Sequence, residues 1–223
     1  MNKDIDNPYA SALDGLELED PVSAFFDFCK ERESIRKKRN NGELFPWSKD
    51  SIFQNGRFLN VFREDDRVSK AIINFAENHK DQLPLLVQAL FFARWCNKGE
   101  VIDSLSIDIL TNKILMKEMM IKQKEWCNYN AYPVEPIWWE GEEFSRIDSA
   151  TELFNDIKEP LSELICDANG DVILATQIVN EKFKMGNDFP IFMAIIDIAW
   201  FRPDIINPSS PVPTGIGAVA FLD

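Results

Sequence analysis

Histidine is almost missing: His79 is the only one in 223 residues. That argues against histidine-based triads and excludes His-rich metal sites and the H-E-x-x-H arrangement of zinc hydrolases. Cysteine is sparse as well. Cys29, Cys96, Cys127 and Cys166 stand far apart with no C-x-x-C pair, so no zinc ribbon or iron–sulfur loop is signalled. Scattered thiols of this kind fit a reducing cytosol. With nine glycines there is no G-x-x-x-x-G-K-[ST] and no Gly-rich dinucleotide loop, which excludes ATP binding through a P-loop and predicts no cofactor. No apolar run approaches the ~20 residues that span a bilayer. The N-terminus is acidic and has no apolar signal core, so we expect a cytoplasmic protein with no membrane partner. Positive charge is short too. There are 24 Lys/Arg against 37 Asp/Glu, a net charge of −13 and a pI of about 4.6. Taken alone, that balance argues against nucleic acid as a partner, because phosphate contacts need Lys and Arg.

What is present is core-forming material. Hydrophobic residues make up 45% and aromatics 12%, enough for one domain with a sizeable core. The charge is also uneven. Lys30 to Lys70 holds eleven Lys/Arg and seven Asp/Glu, a local net of +4 (11 − 7), which leaves −17 (−13 − 4) for the rest. Two readings stand side by side: a solvated helical face, or an anion-binding surface inside an acidic shell.

The periodicity is helical nearly throughout. Residues 1–19 are polar and acidic and read as a loose leader; 20–223 read as a single helical domain. Asp20-Pro21 predicts an N-cap for a helix over 21–39, with Val22, Phe25, Phe26, Cys29 and Ile35 buried and Asn40-Asn41-Gly42 ending it. Residues 45–53 read as a turn and a short helix, and 57–77 as a helix with Phe58 and Phe62 in the core. "QLPLLVQALFFARWCNKG" (82–99) predicts a central helix, with Leu90 and Trp95 buried, stopped by Asn97-Lys98-Gly99. Further helical patterns cover 100–105, 107–125, 149–168, 170–184 and 189–203, and 129–144 reads as a loop or a short strand. No alternation persists long enough to build a sheet, so the expected class is all-α. Asp197 stands out in the last helix, among Ile195, Ile196, Ile198 and Trp200. An unpaired carboxylate there would be costly, which predicts a partner or a pocket. Near the end, Thr214, Gly215 and Gly217 follow a Pro-rich turn. They read either as an ordinary turn or as a hairpin whose backbone N–H groups meet a DNA phosphate.

Three segments together resemble a known family. "FFDFCKERESIRKKRNNGELFPWSKDSIF" (25–53) carries E-R-x-x-I-x-x-x-R and P-W-x-x-D-x-I, "RFLNVFREDDRVSKAI" (57–72) carries R-F-x-N-V-F-R-x-x-D-R, and "FFARWCNKGEVIDSL" (91–105) contains Arg94 and Asn97. The resemblance is to phage thymine-hypermodification proteins. These include the helical domain of 5-hydroxymethyluracil DNA kinases and the α-glutamyl/putrescinyl-thymine pyrophosphorylases, regarded as amine-to-DNA transferases; the family is similar to helix–hairpin–helix DNA glycosylases. It implies a phage-encoded protein of the host cytoplasm, and partners in double-stranded DNA with modified thymine, a small amine and a separate kinase. It implies replacement of the phosphate on 5-phosphomethyluracil by an amine. A non-catalytic DNA-binding or kinase-docking module and glycosylase-like base excision are the alternatives. The sequence reaches Asp223 six residues after Gly217, which leads us to expect a domain shortened after the hairpin at 212–217.

The resemblance gives the charged stretch a role. Arg63 and Arg67 are spaced i, i+4, with Asn60 one turn earlier, and Arg32, Arg36 and Arg39 are similarly spaced upstream. Two such helices would line a cationic slot, with Glu31, Glu64 and Asp66 holding the guanidiniums; an internal salt-bridge network is the alternative. Arg32, Arg36, Asn60, Arg63, Arg67, Arg94 and Asn97 are then the candidate phosphate and substrate contacts. Asp197 and Asp66 are candidates for the carboxylate that orients the amine, and Thr214, Gly215 and Gly217 for DNA binding. No metal is implied.

Overall fold

The computed structural model describes residues 20–56, 60–123 and 125–213. The chain divides into two compact units between Asp65 and Asp66.

In the first unit, helix α1 (Pro21–Asn40) starts as its sequence predicts. The Asp20 carboxylate accepts from the amides of Val22 and Ser23 at 3.1 Å each, and proline occupies the first turn. These amides have no helical carbonyl to reach, so the cap satisfies them. Lys37, Lys38 and Arg39 fill the last turn, where the helix dipole favours cations. Gly42 then takes φ 74°, and a short helix α2 (Ser51–Asn55) follows on an Asp50 cap.

The expected buried stripe of α1 needs correction. Val22, Phe25 and Phe26 are each more than half exposed, whereas Arg32 and Ile35 are buried. Phe28 meets Phe53 of α2 with ring centroids 5.2 Å apart. Periodicity reveals an apolar side, but a covering element decides which side is used. Here it is the 28–32–35 side, roughly a quarter turn from the 22–25–26 side at 3.6 residues per turn.

The expected helix over 57–77 is not continuous. Arg63–Asp65 form a 3-10 turn, and a new helix α3 (Arg67–Ala76) begins beyond it. The cause is Asp66, whose Oδ2 accepts from the amides of Val68 and Ser69 at 3.0 and 3.1 Å. A short carboxylate at that point starts a helix better than it continues one. Phe62 is about half exposed rather than buried; Phe58 lies outside the described residues.

The second unit is built round α4 (Leu83–Cys96), whose residues from Leu85 to Cys96 are all buried. It is followed by α5 (Gly99–Ile102), α6 (Ile107–Thr111) and α7 (Lys113–Lys122). The expected helix over 107–125 breaks at Asn112, because its side-chain oxygen caps α7 on the amides of Ile114 and Leu115. Strands β1 (Ile137–Trp139) and β2 (Glu142–Phe144) pair antiparallel in register Ile137–Phe144. Their turn, Glu140-Gly141, has positive φ at both residues, as a tight hairpin requires. Next come α8 (Arg146–Asp148), a π-helical turn (Ser149–Leu153), α9 (Phe154–Asp156), α10 (Lys158–Cys166), α11 (Val172–Phe183) and α12 (Phe189–Phe201). Among the described residues, β1 and β2 form the only sheet, so the fold is all-α.

Helices α3, α10 and α12 all pack on α4. Phe91 and Trp95 of α4 meet Phe154 and Phe183 with centroids 5.0–6.4 Å apart, mostly edge to face. Leu90 and Trp95 are buried as expected. Aromatic pairs at such spacing add ~0.5–1.5 kcal/mol each beyond area burial. Among the described residues no helix is long and apolar enough to cross a membrane.

Candidate functional site

The C-terminal end of α4 opens onto a polar cleft. Asn97 adopts a left-handed conformation, φ 47°, and its amide donates to Ala93 O at 2.7 Å, closing the helix. Asn and Gly tolerate that conformation best, so the expected stop at Asn97-Lys98-Gly99 is realised. At Gly99 a β-carbon would sit 3.2 Å from Arg67 Cγ and 3.3 Å from Arg67 O. Glycine therefore lets the first turn of α3 press against the start of α5. The Asp66 cap fixes where that turn begins.

The cleft has a volume of ≈ 430 Å³ and is lined by Arg67, Asn97, Lys98, Glu100, Glu125, Cys127, Asn128, Tyr129 and Asn130, among others. Its charges are paired across it. Arg67 Nη2 lies 2.8 Å from Glu100 Oε1, and Lys98 Nζ donates to the Glu125 carbonyl at 2.5 Å. Arg67 is nonetheless 72% exposed, so that pair is open to exchange with another anion. The 125–130 wall is tied to the core. Asn128 N donates to Cys96 O at 2.9 Å, and Arg146 donates twice to Trp95 O, at 2.8 and 2.5 Å. The same guanidinium lies over the rings of Trp126 and Tyr129, 5.9 and 5.2 Å from their centroids. Behind the wall, burial pushes the Cys96 thiol up to about 12, and its Sγ donates to Trp126 O at 2.9 Å. The Tyr129 hydroxyl is also raised, first by its hydrogen bond to Cys127 and then by burial.

The sequence candidates fall into separate settings. Arg67 and Asn97 line one cleft. Arg94 and Asp197 do not face it as free groups: they form a buried bidentate pair, Nε–Oδ2 2.5 Å and Nη2–Oδ1 2.8 Å, joining α4 to α12. The partner expected for Asp197 is thus an arginine. Burial works against the Arg94 charge, but the Asp197 carboxylate outweighs it and holds the pKa above the usual value. Tyr132 donates its hydroxyl to Arg94 O at 2.8 Å, and burial pushes that phenol up to about 12. Asp66 is a helix cap. In the first unit, Arg36 forks onto Glu33 at 2.7 and 2.6 Å and reaches Asp65 at 3.1 Å. Glu33 and Asp65 therefore hold it, rather than Glu31, Glu64 and Asp66 as expected, because Glu33 is one turn before Arg36 on the same helix. That fork holds the Glu33 carboxyl down at about 2. Arg32 is buried, and Asn60 and Arg63 are half-buried. The continuous helix that would align Arg63 with Arg67 is broken at Asp66. Thr214, Gly215 and Gly217 lie outside the described residues.

Sequence reasoning missed Lys98, Asn128, Tyr129 and Arg146. "CNKG" was legible as a helix stop, but the wall opposite it comes from about 30 residues downstream in an irregular segment that no period marks.

The second unit is thus a helical scaffold that holds a polar cleft at the end of α4. Residues 19–124 match the model of the family described as "5-hmdU DNA kinase, helical domain". The match covers a little under half of the chain, and over that stretch the sequence is similar to this helical domain. No curated protein and no solved structure matches the chain.

Proposed function

We propose that the protein acts on phosphorylated 5-hydroxymethyluracil in DNA and replaces the phosphate with an amine. The observation that carries this reading is the cleft at the end of α4. It gathers Arg67, Asn97 and Lys98 around a space of ≈ 430 Å³; all three lie inside the family segment, and the opposite wall at 125–130 lies outside it. In this reading Arg67 exchanges Glu100 for the phosphate, and Lys98 adds a second cation. The amides of Asn97 and Asn128 face the imide edge of an extruded base. The C–O bond to the 5-methyl carbon breaks and phosphate leaves with the electron pair. The amine nitrogen then bonds to that carbon and gives up one proton. Glu100, freed from Arg67, is the carboxylate beside the cleft that takes it. Asp66 and Asp197 act here as positioning residues, the first through the Arg67 turn and the second through Arg94. Asn60 and Arg63 of the first unit, and Thr214, Gly215 and Gly217, are then candidates for the DNA backbone, whereas Arg32 is buried and Arg36 is held by Glu33 and Asp65.

The test is incubation with a duplex carrying 5-phosphomethyluracil and a panel of amino acids and polyamines, followed by nucleoside mass spectrometry. An aminated nucleoside, lost in Arg67→Ala, is expected. Absence of any such product, with or without a 5-hydroxymethyluracil kinase present, refutes the catalytic reading. A second reading is a non-catalytic module that docks on a separate kinase. The family description favours it, since it names a kinase's helical domain. Co-sedimentation with the purified kinase, without product, would select it.

A further inference from the structure

We propose that the loop after α1 is a DNA wedge. Leu44 and Phe45 enter a base step of the duplex, while Lys37, Arg39 and Lys49 take the flanking phosphates. The proposal rests on DNA being the substrate, as above, and adds how the duplex is opened.

The loop tip is apolar and in water. Leu44 is 90% exposed and Phe45 58%. Exposed apolar residues usually relax onto a neighbouring surface, but this loop is braced against doing so. Gly42 N donates to Arg39 O and Glu43 N to Lys38 O, each at 3.0 Å, which turns the chain sharply off the helix. Trp47 Nε1 donates to Glu43 O at 2.7 Å, so the segment that bears Leu44 and Phe45 is closed into a ring. Lys38 Nζ donates to Trp47 O at 2.6 Å, and the Arg39 guanidinium lies over the Trp47 ring at 5.4 Å. Phe45 stands edge-on to Trp47 at 5.4 Å. The tip is therefore held outward by the helix that carries the cations.

Charge selects the occupant. From Arg36 to Asp50 there are five Lys/Arg and two Asp/Glu, a net of +3 (5 − 2) in a chain of −13. Lys37 is 65% exposed along its side chain, and its 3.4 Å ion pair with Glu33 is a surface pair that a phosphate can replace. An apolar protein partner needs no cationic flank, whereas a polyanion with an apolar interior needs both. Proteins that open duplexes do so with Leu, Phe, Ile, Met or Pro placed between base steps. A base that is to be modified at its 5-methyl carbon must leave the stack, and filling the gap repays part of the unstacking cost.

The test uses the full chain, an amine, and a duplex in which 2-aminopurine pairs with 5-phosphomethyluracil. Wild-type protein should raise the 2-aminopurine fluorescence as the pair opens. Leu44→Ala and Phe45→Ala, whose side chains are exposed, should keep the fold by circular dichroism. They should lower that rise about fivefold, since the wedge pays for unstacking. Lys37→Gln should weaken binding to all duplexes and lower the salt slope by about one unit. Three outcomes overturn the wedge: no duplex binding at low salt, alanine variants that open the pair as wild type does, or variants that change only self-association of the protein. A wild-type protein that opens the pair yet yields no aminated nucleoside would refute the proposed reaction and leave the wedge standing.

Discussion

At the scale of single residues, the buried Arg94–Asp197 pair has the most at stake. Both side chains are about 95% removed from solvent, and each is the other's counter-ion. Desolvating two ions is expensive, and their attraction roughly repays it. Removing one partner leaves the other charge uncompensated. Arg94→Ala is therefore expected to cost ~3–5 kcal/mol of stability in denaturant unfolding. Replacing both, as Arg94→Met with Asp197→Leu, should recover most of that loss, because well-packed apolar side chains remove the desolvation cost altogether. The double variant also separates roles for Asp197. If it is stable and still forms the aminated nucleoside, Asp197 takes no proton. The Glu33–Arg36 fork makes a prediction in pH. Its carboxyl sits at about 2 in the folded chain against 4.5 in a free side chain. A depressed carboxyl stabilises the fold above the unfolded value and ceases to do so as pH falls through the folded one. The fork's contribution should thus fade between about pH 4.5 and 2. An acid titration of Glu33→Gln by circular dichroism should differ from wild type at neutral pH and converge on it towards pH 2. A constant difference across that window would show that the fork does not set the Glu33 pKa.

At the scale of elements, caps determine where helices stop and start, and one of them decides the candidate site. Asp66 ends what the periodicity of 57–77 predicts as one helix and sets Arg67 at the first turn of α3. Asp66→Ala should cost about 1 kcal/mol, the usual worth of an N-cap. Asp66→Asn should cost little, because an amide oxygen caps as well as a carboxylate. Amine transfer measured in Asp66→Asn then tells a cap from a proton acceptor: retained activity fits the cap, and loss with unchanged stability fits the acceptor. The same contrast explains what could be read in advance. The apolar run 82–96 is long, uniform and ended by Asn97, so α4 and its burial were legible. The Asp20 cap, the all-α class and the need of Asp197 for a partner or a pocket were legible for the same reason, since each follows from local chemistry; that the partner is Arg94, 103 residues away, was not. The breaks at Asp66 and Asn112 were not, because both residues also occur on helix surfaces and only the chain's path shows them capping. The exposure of Phe25, Phe26 and Phe62 was hidden too, since period marks a face without marking what covers it. The cleft wall at 125–130 was hidden because irregular backbone, positioned by Arg146 from 20 residues further on, has no sequence period.

At the scale of the whole molecule, charge is the property that every proposal above must satisfy. The chain carries −13 overall, yet the segment from Lys30 to Lys70 carries +4. Salt should act on these two facts in opposite directions. Like charges spread over the acidic shell repel one another in the compact state, and the repulsion is screened beyond a Debye length of ~8 Å at physiological ionic strength. Added salt should therefore raise the thermal midpoint. Binding to duplex DNA should weaken over the same range, because each phosphate neutralised by Lys or Arg releases counter-ions, with a logarithmic slope of about −0.9 per contact. The basic segment has few uncommitted cations: Arg36 is forked onto Glu33, Lys37 shares that carboxylate in an exposed 3.4 Å pair, and Lys38 is committed to Trp47 O. The slope should then be shallow, about −2 to −4, consistent with Lys37, Arg39, Lys49 and Arg67 as the contacts. Thermal melts and fluorescence anisotropy between ~50 and ~200 mM NaCl measure both quantities on one preparation. A binding curve indifferent to salt would mean that the basic segment is not the DNA surface, and a steep slope near −8 would mean that cations outside it dominate.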